Sequence, residues 1–419
     1  MMNVKNSKTF CVLPWLMRYI HNDGKFYLCC ISASDSENAL RDDEGKLVTI
    51  QKISHLNQLE SFKQLKEIKE MLSHDQWPKQ CQKCQAHEER GNLSHRQLKN
   101  SEFQSEIAAI QKGTSKVRTF DLRLGNICNL RCVMCGPDAS HLWIEEWNKL
   151  QPKTLEFSKS EMDQFKLPSW GTLKPVWDKI EQGSDQLFSI ELAGGEPLIS
   201  HEAKAFLAHL VETKRSQEID LNIVTNLTIV TDDWYKLWSQ FKKVTLRVSV
   251  DGIGSYQEMM RPGLKWNLLE RNLQKLDQSF DQFPFSEINL NFTLQALNAR
   301  QLVSTIKWLE HFKHICPLPH VSILSEPAYM DCRLLPQSMK DELVQAWSQQ
   351  ISLFISSPRY KQAKHQWLVE GLERAIDWLS EAPPTIYPHS WSQRLLKDQA
   401  LKSELKLLDS ELLLYLLTL

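Results

Sequence analysis

Residues 119–137 read TFDLRLGNICNLRCVMCGP, a short β-rich run followed directly by three cysteines. Cys128, Cys132 and Cys135 are spaced Cys-x3-Cys-x2-Cys. Three thiolates at this spacing can ligate three irons of a cubane cluster and leave the fourth iron open to another ligand. A zinc site and three buried thiols are the other interpretations of the same spacing. The segment therefore predicts a metal or cluster site at the carboxyl end of a strand.

The pattern of a strand followed by a helix repeats after this segment. Helix-period stretches, such as 202–213, 266–278 and 301–312, separate most of the β-rich runs. Such alternation is typical of an α/β fold with parallel strands and helices outside. Six strands fit a partial (β/α)6 TIM-like barrel better than a closed eight-stranded one, and active sites of such folds lie at the carboxyl ends of the strands. The predicted strands are 119–124, 189–193, 220–225, 244–250, 288–294 and 320–324.

The regions before and after the predicted barrel differ from it in pattern. A hairpin is predicted around Asp23-Gly24, and the chain becomes helical again towards its end. Residues 151–188 are a polar, aromatic-rich insertion that suits either a lid or a surface excursion. The predicted domains are a small α+β cluster-binding domain at 1–105, the barrel at 115–330 and a helical region at 331–419.

Composition excludes several classes of protein. The 50 basic and 51 acidic residues give a net charge of −1, which offers no argument for nucleic acid or an anionic membrane as partner. The beginning of the sequence lacks the apolar stretch of a signal peptide, and no run approaches the ~20 apolar residues of a membrane helix. We therefore expect a soluble, cytoplasmic protein. Its 10 cysteines then favour metal or cluster binding over disulfides.

The three cysteines and their placement after the first barrel strand resemble the radical S-adenosylmethionine (SAM) superfamily. In that family the open iron of a 4Fe–4S cluster chelates the methionyl amino and carboxylate groups of SAM. One electron then cleaves SAM to a 5′-deoxyadenosyl radical, which abstracts hydrogen. The sequence AGGEP at the end of the second predicted strand matches the family's Gly-Gly-Glu-Pro segment. The resemblance implies that Gly194, Gly195, Glu196 and Pro197 hold the SAM amino group.

Two further segments match family motifs at the ends of the next predicted strands. Asn226 lies in Val-Thr-Asn, where relatives have Thr-Asn-Gly, and Leu227 replaces the usual glycine. Ser249 and Asp251 lie in Ser-Val-Asp-Gly, which resembles the family's Ser-x-Asp-Gly. The resemblance implies that Ser249 bonds the SAM ribose and that Asp251 supports the loop. Arg261, in MMRPG, has the position to pair with the SAM carboxylate, and a surface salt bridge is an equally consistent interpretation.

A second set of cysteines lies near the start of the chain. Twelve residues separate Cys11 from Gly24, four more precede Cys29, and Cys81-x2-Cys84 follows. A hairpin with one cysteine at each end and a Cys-x2-Cys turn can converge on one site with four thiolates. Such a site suits zinc or a 4Fe–4S cluster, and cysteine spacing does not separate the two.

This second set resembles the SPASM and twitch domains of radical SAM relatives, which bind an auxiliary 4Fe–4S cluster. In most relatives that domain follows the barrel, whereas here it precedes it, as in proteins with an N-terminal twitch domain. The resemblance covers roughly residues 10–330 and favours a cluster over zinc. It implies Cys29 as the ligand and Cys30 as its neighbour, which would substitute if the hairpin register were shifted by one.

Taken together, the resemblance implies an oxidoreductase-like radical SAM enzyme. The auxiliary cluster would accept an electron from the product or pass electrons to the first cluster. An external one-electron reductant such as flavodoxin or ferredoxin is the expected partner. No leader-binding module is recognisable in either terminal region, which favours a small molecule or sugar over a peptide as substrate. A peptide-modifying maturase and a non-catalytic iron–sulfur or zinc protein are the alternatives. No catalytic acid or base is assigned.

Overall fold

The structure is a computed structural model that describes residues 7–91, 93–387 and 389–419, with only the backbone described at 363 and 364. Its contacts divide the chain into two compact units. The first unit comprises residues up to 127, together with 168–223 and 240–243. The second unit comprises 128–167, 224–239 and 244–419. Each unit is described by itself below.

The predicted α/β fold class is confirmed, and each of the six predicted barrel strands is present within three residues of its expected bounds. In the first unit the strand order is β2-β1-β3-β4-β5, parallel except between β1 and β2. In the second unit β6, β7 and β8 are parallel neighbours. The strands are β1 (Met17–Ile20), β2 (Phe26–Tyr27), β3 (Thr119–Arg123), β4 (Ser189–Ala193), β5 (Asp220–Thr225), β6 (Lys243–Ser249), β7 (Phe285–Leu294) and β8 (His320–Ile323).

The pairing of strand β1 with β3 is an addition that sequence patterning did not predict. The hairpin expected around Asp23-Gly24 is present, with Tyr19 opposite Tyr27. Its first strand also pairs in parallel with β3, from Met17 opposite Thr119 onwards. The amino-terminal region therefore extends the sheet of the first unit at the edge of β3.

Helices connect the parallel strands and form the carboxyl-terminal region, as predicted. Amphipathic helices follow β4, β6 and β7, and five helices follow β8. The α-helices are α1 (Leu13–Leu16), α2 (Lys63–Ser73), α3 (Gln82–Glu89), α4 (His95–Glu102), α5 (Ile107–Gln111), α6 (Trp147–Leu150), α7 (Lys159–Phe165), α8 (Lys174–Gln182), α9 (His201–Glu212), α10 (Asp232–Trp238), α11 (Ser255–Met260), α12 (Trp266–Ser279), α13 (Gln301–Leu309), α14 (Gln337–Ile355), α15 (Gln362–Ser380), α16 (Ser390–Lys397), α17 (Gln399–Leu408) and α18 (Ser410–Leu416).

The core of the second unit joins its strands to the carboxyl-terminal helices. Phe292 and Leu294 of β7 pack in one cluster with Leu302 of α13, Trp347 of α14 and Leu372 of α15, all buried. Burying side chains of this size against one another is a main stabilising contribution to such a unit. Helices α14, α15, α16, α17 and α18 therefore each contribute buried side chains to this core. Over the described residues, no helix combines the length and apolar character needed to cross a bilayer.

Candidate active site

The loop after β3 carries the three barrel cysteines and is held by backbone hydrogen bonds. The Val133 N–H donates to the Met260 carbonyl at 2.9 Å, which ties the loop to the end of α11. The Trp143 indole N–H donates to the Cys132 carbonyl at 3.0 Å, and the Cys128 N–H donates to His141 Nδ1 at 3.3 Å. These bonds fix an irregular segment that has no helix or strand of its own.

The three thiols of this loop lie close enough to interact. A hydrogen bond with Cys135 lowers the pKa of Cys132, and the charge of Arg261 lowers it further. The Arg261 guanidinium donates from Nη1 to Cys132 Sγ at 3.4 Å. Cys128 and Cys132 are buried, whereas Cys135 is partly exposed. The set of three soft thiols beside a fixed cation fits a cluster with one open iron, by the chemistry of its donors.

Arg261 itself is held by a buried ion pair. Its guanidinium donates two bonds to Asp251 Oδ2, at 2.7 Å from Nε and 2.6 Å from Nη2. Asp251 is fully buried and also accepts the Thr293 N–H at 2.7 Å. Burial raises the pKa of Asp251 and Arg261 opposes that rise. The alternative of a surface salt bridge for Arg261 is therefore wrong, because the pair is buried. Pairing with the SAM carboxylate stays a prediction.

Asn226 links the end of β5 to the cysteine loop. Its Nδ2 donates to Asn129 Oδ1 at 2.9 Å, next to Cys128 in the chain. Leu227, at the position of the family's usual glycine, has φ of 55° and is fully buried. Non-glycine residues rarely adopt this left-handed backbone region. Leu227 therefore keeps the backbone conformation that suits glycine, at a cost in backbone strain. The network positions both motifs of the second unit relative to each other.

In the first unit, the Gly194-Gly195 turn approaches the chain just before the cysteine loop. Both residues have positive φ, 75° and 56°. A Cβ at position 194 would lie 2.2 Å from Asn22 Oδ1, and one at 195 would lie 2.3 Å from the Ile127 carbonyl oxygen. The Glu196 N–H donates to that same carbonyl at 2.9 Å. Glycine at both positions therefore permits a backbone approach that any side chain would block.

Alanine at Gly194 is expected to weaken SAM binding strongly, because the new methyl group must displace Asn22 or the Leu124 backbone. Alanine at Gly113 is the matched control, since its φ is 69° but no atom lies within 4 Å of the position that a Cβ would take there. Both variants carry the same strain of about 1 kcal/mol, so the difference in SAM affinity between them reports the close approach alone. Equal affinities in equilibrium binding would contradict the role given to this turn.

One face of the sheet in the second unit is polar. Register places Arg247 opposite Asn289, and Ser249 opposite Asn291, which in turn lies opposite His320. The His320 ring and the Asn291 carboxamide are hydrogen-bonded at 3.0 Å. Parallel strands are usually apolar on both faces. Here the alternate residues are polar, and all but the buried Asn289 are half-buried: Thr245, Arg247, Ser249, Glu287, Asn289, Asn291, Thr293, His320 and Ser322.

The four amino-terminal cysteines line one small cavity in the first unit, together with His95 and Arg96. Cys30 does not line it. Its thiol lies 3.9 Å from His95 Nε2 and interacts with the charges of Asp121 and Arg123 on β3. The hairpin register thus directs the Cys29 side chain to the cavity and the Cys30 side chain elsewhere. The cavity is lined by Cys11, Cys29, Cys81 and Cys84.

Backbone N–H groups surround these thiols. The Ser32 N–H donates to Cys29 Sγ at 3.5 Å, and the N–H groups of Leu13 and Arg96 bond Cys11 and Cys84. Burial raises the pKa of Cys11 to about 12 and also raises that of the other three thiols. Such N–H···S bonds stabilise thiolates once a metal replaces their protons. The donor set fits a thiolate-held metal or cluster.

Two side chains of α4 hold the segment that carries Cys11. Arg96 Nη1 and Asn100 Nδ2 donate to the Phe10 carbonyl at 2.6 and 2.7 Å. The Arg96 guanidinium also pairs with Glu88 of α3, the helix that carries Cys84. Across the described ranges, no group of three or more His, Cys, Asp or Glu side chains is arranged to hold a metal ion, and this finding includes both sets of cysteines.

Sequence reasoning missed the polar face of β6–β8 and the contact of Asn22 with Gly194. The first had a signal, because INLNFTL at 288–294 alternates between apolar and polar residues. A strand buried on both faces would lack that period of two. The second had none, since Asn22 and Gly194 are far apart in the chain and meet only through the pairing of β1 with β3.

Comparison with known proteins agrees with the motifs at the strand ends. Residues 122–290 match the family model of the radical SAM superfamily. No curated protein sequence matches the chain. Among solved structures, native anSMEcpe with bound AdoMet has 16% identity and a TM-score of 0.39, covering 57% of this chain and 60% of that one. SuiB of Streptococcus suis bound to S-adenosylmethionine has 12% identity and a TM-score of 0.35, covering 65% of this chain and 58% of that one.

The alignments therefore span less than two thirds of those solved chains. The family match begins within β3, includes the three cysteines and ends within β7. It thus contains the cysteine loop, the Gly-Gly turn, Asn226, and the buried pair of Asp251 and Arg261. Residues 122–290 of this chain therefore form a radical SAM domain.

Proposed function

We propose that this enzyme of SAM-dependent radical chemistry oxidises a small, polar, hydroxyl-bearing molecule of the sugar class, with an auxiliary 4Fe–4S cluster in its first unit. With its cluster and SAM bound, the radical SAM domain supplies a 5′-deoxyadenosyl radical that takes a hydrogen atom from the substrate. Cys128, Cys132 and Cys135 would hold that cluster. Gly194 to Pro197 would bind the SAM amino group.

Arg261 and Asp251 have a positioning role in this proposal. The buried carboxylate fixes the guanidinium at 3.4 Å from Cys132 Sγ. A cation in a water-excluded position stabilises negative charge on neighbouring thiolates more than an exposed cation does. Asp251 also accepts the Thr293 N–H, so the same carboxylate ties the loop after β6 to β7. The pair would therefore maintain the shape of the cluster-binding loop during turnover.

The polar face of β6–β8 is the observation that carries the substrate class. Its nine side chains comprise hydroxyls, carboxamides, one imidazole, one guanidinium and one carboxylate, and none is a hydrocarbon side chain. Ser249 is the one of them that the resemblance assigns to the SAM ribose, which leaves eight for the substrate. Within the described residues, the buried Oδ1 of Asn289 has no hydrogen-bond partner. A surface with donors, acceptors and balanced charge complements a neutral polyol, whereas an apolar peptide side chain would leave these groups unpaired.

This substrate class is testable by coupled turnover. The reconstituted protein should form more 5′-deoxyadenosine with neutral sugars or amino sugars than without substrate, and peptides should not raise the yield. Asn289→Leu, which removes the buried polar group at similar volume, should reduce the sugar response. Stimulation by peptides alone would contradict the sugar class and favour a peptide-modifying enzyme.

The four-thiol cavity supports the auxiliary cluster. Oxidation of an alcohol by loss of a hydrogen atom and a proton leaves one electron to be accepted. A 4Fe–4S cluster in the cavity would supply that one-electron acceptor. Cys11, Cys29, Cys81 and Cys84 would hold it, with the N–H groups of Leu13, Ser32 and Arg96 bonded to three of the sulfurs.

Adjacent cysteines provide a matched pair of variants for this cavity. After anaerobic reconstitution we expect about eight irons per chain in the parent protein and about four in Cys29→Ala. Cys30→Ala should keep the parent's iron content, because its thiol does not line the cavity. If the parent protein held four irons and one zinc, the cavity would bind zinc and not an auxiliary cluster. Loss of iron from Cys30→Ala but not from Cys29→Ala would overturn the assignment of ligands.

A further inference from the structure

A cleft of about 830 Å³ opens at the amino-terminal edge of the strands in the first unit. Trp15 of α1 and Arg18 of β1 line it together with Val117, just before β3. Helix α2 contributes Lys66 and Lys69. The Gly194-Gly195 turn follows the opposite, carboxyl end of β4, and none of the cysteines lines the cleft. The cleft is therefore a second concave surface, separate from the sites described above.

Two buried cations share one carboxylate in this cleft. The side chain of Arg18 is 3% exposed and that of Lys69 is 10% exposed. Arg18 Nη2 donates to Glu60 Oε1 at 2.7 Å, and Lys69 Nζ donates to Glu60 Oε2. Glu60 neutralises one of these two cations, and its own side chain is 44% exposed. The exposed rim adds Lys66 and Lys116 against Glu70 and Asp185, so four cations and three carboxylates line the cleft and one net positive charge is left. Such a charge is costly unless an anion accompanies it.

The same two cations have unused donors. Arg18 Nη1 donates to the Met17 carbonyl, but in the part of the chain that the structure describes Arg18 Nε has no partner. An ammonium offers three donors, and Glu60 is the acceptor of the hydrogen bond that Lys69 makes. Lys69 also lies 5.5 Å from the centre of the Trp15 ring. An anion in the cleft would add the missing charge and an acceptor for the Lys69 ammonium, whereas Arg18 Nε is enclosed by protein and contributes only its charge.

We propose that this cleft binds a small organic anion, a phosphate- or carboxylate-bearing metabolite, through Lys69 and Arg18. Exposed Lys66 and Lys116 at the rim would draw the anion in. The volume suits a ligand larger than a single inorganic anion, and Trp15 offers an apolar surface to its organic part. The site is independent of the radical reaction, so its failure would leave the proposed function untouched.

Calorimetric titration of the reconstituted protein at low ionic strength tests the proposal, with inorganic pyrophosphate and citrate as separate probes. We expect one site per chain for at least one probe; pyrophosphate alone would identify a phosphate site and citrate alone a carboxylate site. Lys69→Met should weaken binding by about tenfold or more, since a charge-assisted contact is lost. Lys63→Gln is the matched control, because Lys63 lies on the same helix, is exposed and does not line the cleft.

A second variant changes the affinity in the opposite direction. Glu60→Gln removes the competing carboxylate and leaves both cations, so binding should tighten several-fold. This result does not depend on the stability of Lys69→Met. Absence of binding by both probes, unchanged binding in Lys69→Met, or weaker binding in Glu60→Gln would each overturn the proposal. Each result would show that Arg18, Lys69 and Glu60 only stabilise the fold and bind no anion.

Discussion

A variant with alanine at Cys128, Cys132 and Cys135 is expected to form no 5′-deoxyadenosine and to hold about four fewer irons per chain than the parent protein. The three side chains project from one hydrogen-bonded loop and interact with one another. Their removal leaves Arg261 without its contact to Cys132 but leaves its pair with Asp251 intact. The chain should therefore fold and lose only the cluster, as iron and sulfide counts and chromatography of the reaction products would measure.

Cys332→Ala is the control for this triple variant. Cys332 is a buried cysteine that lines neither cysteine site, so its replacement changes packing without removing a ligand. We expect full iron content and full SAM cleavage from it. If the triple variant kept the parent's iron content and still cleaved SAM, the loop after β3 would not be the cluster site.

Asp251→Ala is expected to lower the free energy of unfolding of the metal-free protein by about 3–5 kcal/mol, because it leaves a buried guanidinium without its partner. The Thr293 N–H loses its acceptor in the same variant. Arg261→Ala should cost less, since burial already raises the pKa of Asp251 and the lone carboxyl can take up a proton. Urea unfolding of the three proteins gives these differences directly.

Asp163→Ala provides the exposed comparison. Asp163 pairs with Lys166 at 3.0 Å, and both side chains are more than half exposed, so we expect a loss below about 1 kcal/mol. The contrast between the two pairs tests whether burial, and not pairing as such, makes Asp251 important. A loss in Asp251→Ala as small as in Asp163→Ala would show that Arg261 has water or another partner in its place.

Local patterns carried most of the fold prediction. The bounds of β4 and β5 were predicted without error, because each strand ends where the chain turns into a motif: Ala193 is followed by two glycines, and Thr225 by Asn226. Strand β1 was expected only as one arm of the hairpin around Asp23-Gly24, and its pairing with β3 was missed because that pairing is non-local. The helix predicted at 301–312 ends at Leu309, where the exposed Glu310 and His311 begin a turn.

Some features of the candidate site follow from local sequence, and others depend on how distant segments pack. Cysteine spacing is a local signal that predicts Cys29 and not Cys30 as the ligand, and the side chain of Cys29 is the one that lines the cavity. The partner of Arg261 is a residue ten positions earlier, but the burial that makes the pair strong arises from the packing of β6, β7 and α11. The polar row of Ser249, Asn291 and His320 depends on the register of three strands, which no single segment specifies.

The most direct measurement is 5′-deoxyadenosine formation by the anaerobically reconstituted protein after dithionite reduction, with SAM binding measured on the same sample. The radical SAM account predicts that SAM binds and that 5′-deoxyadenosine appears, with a higher yield when a neutral sugar substrate is present. A protein with its full iron content that binds SAM but forms no 5′-deoxyadenosine, with or without sugar and peptide substrates, would contradict assignment as a radical SAM enzyme.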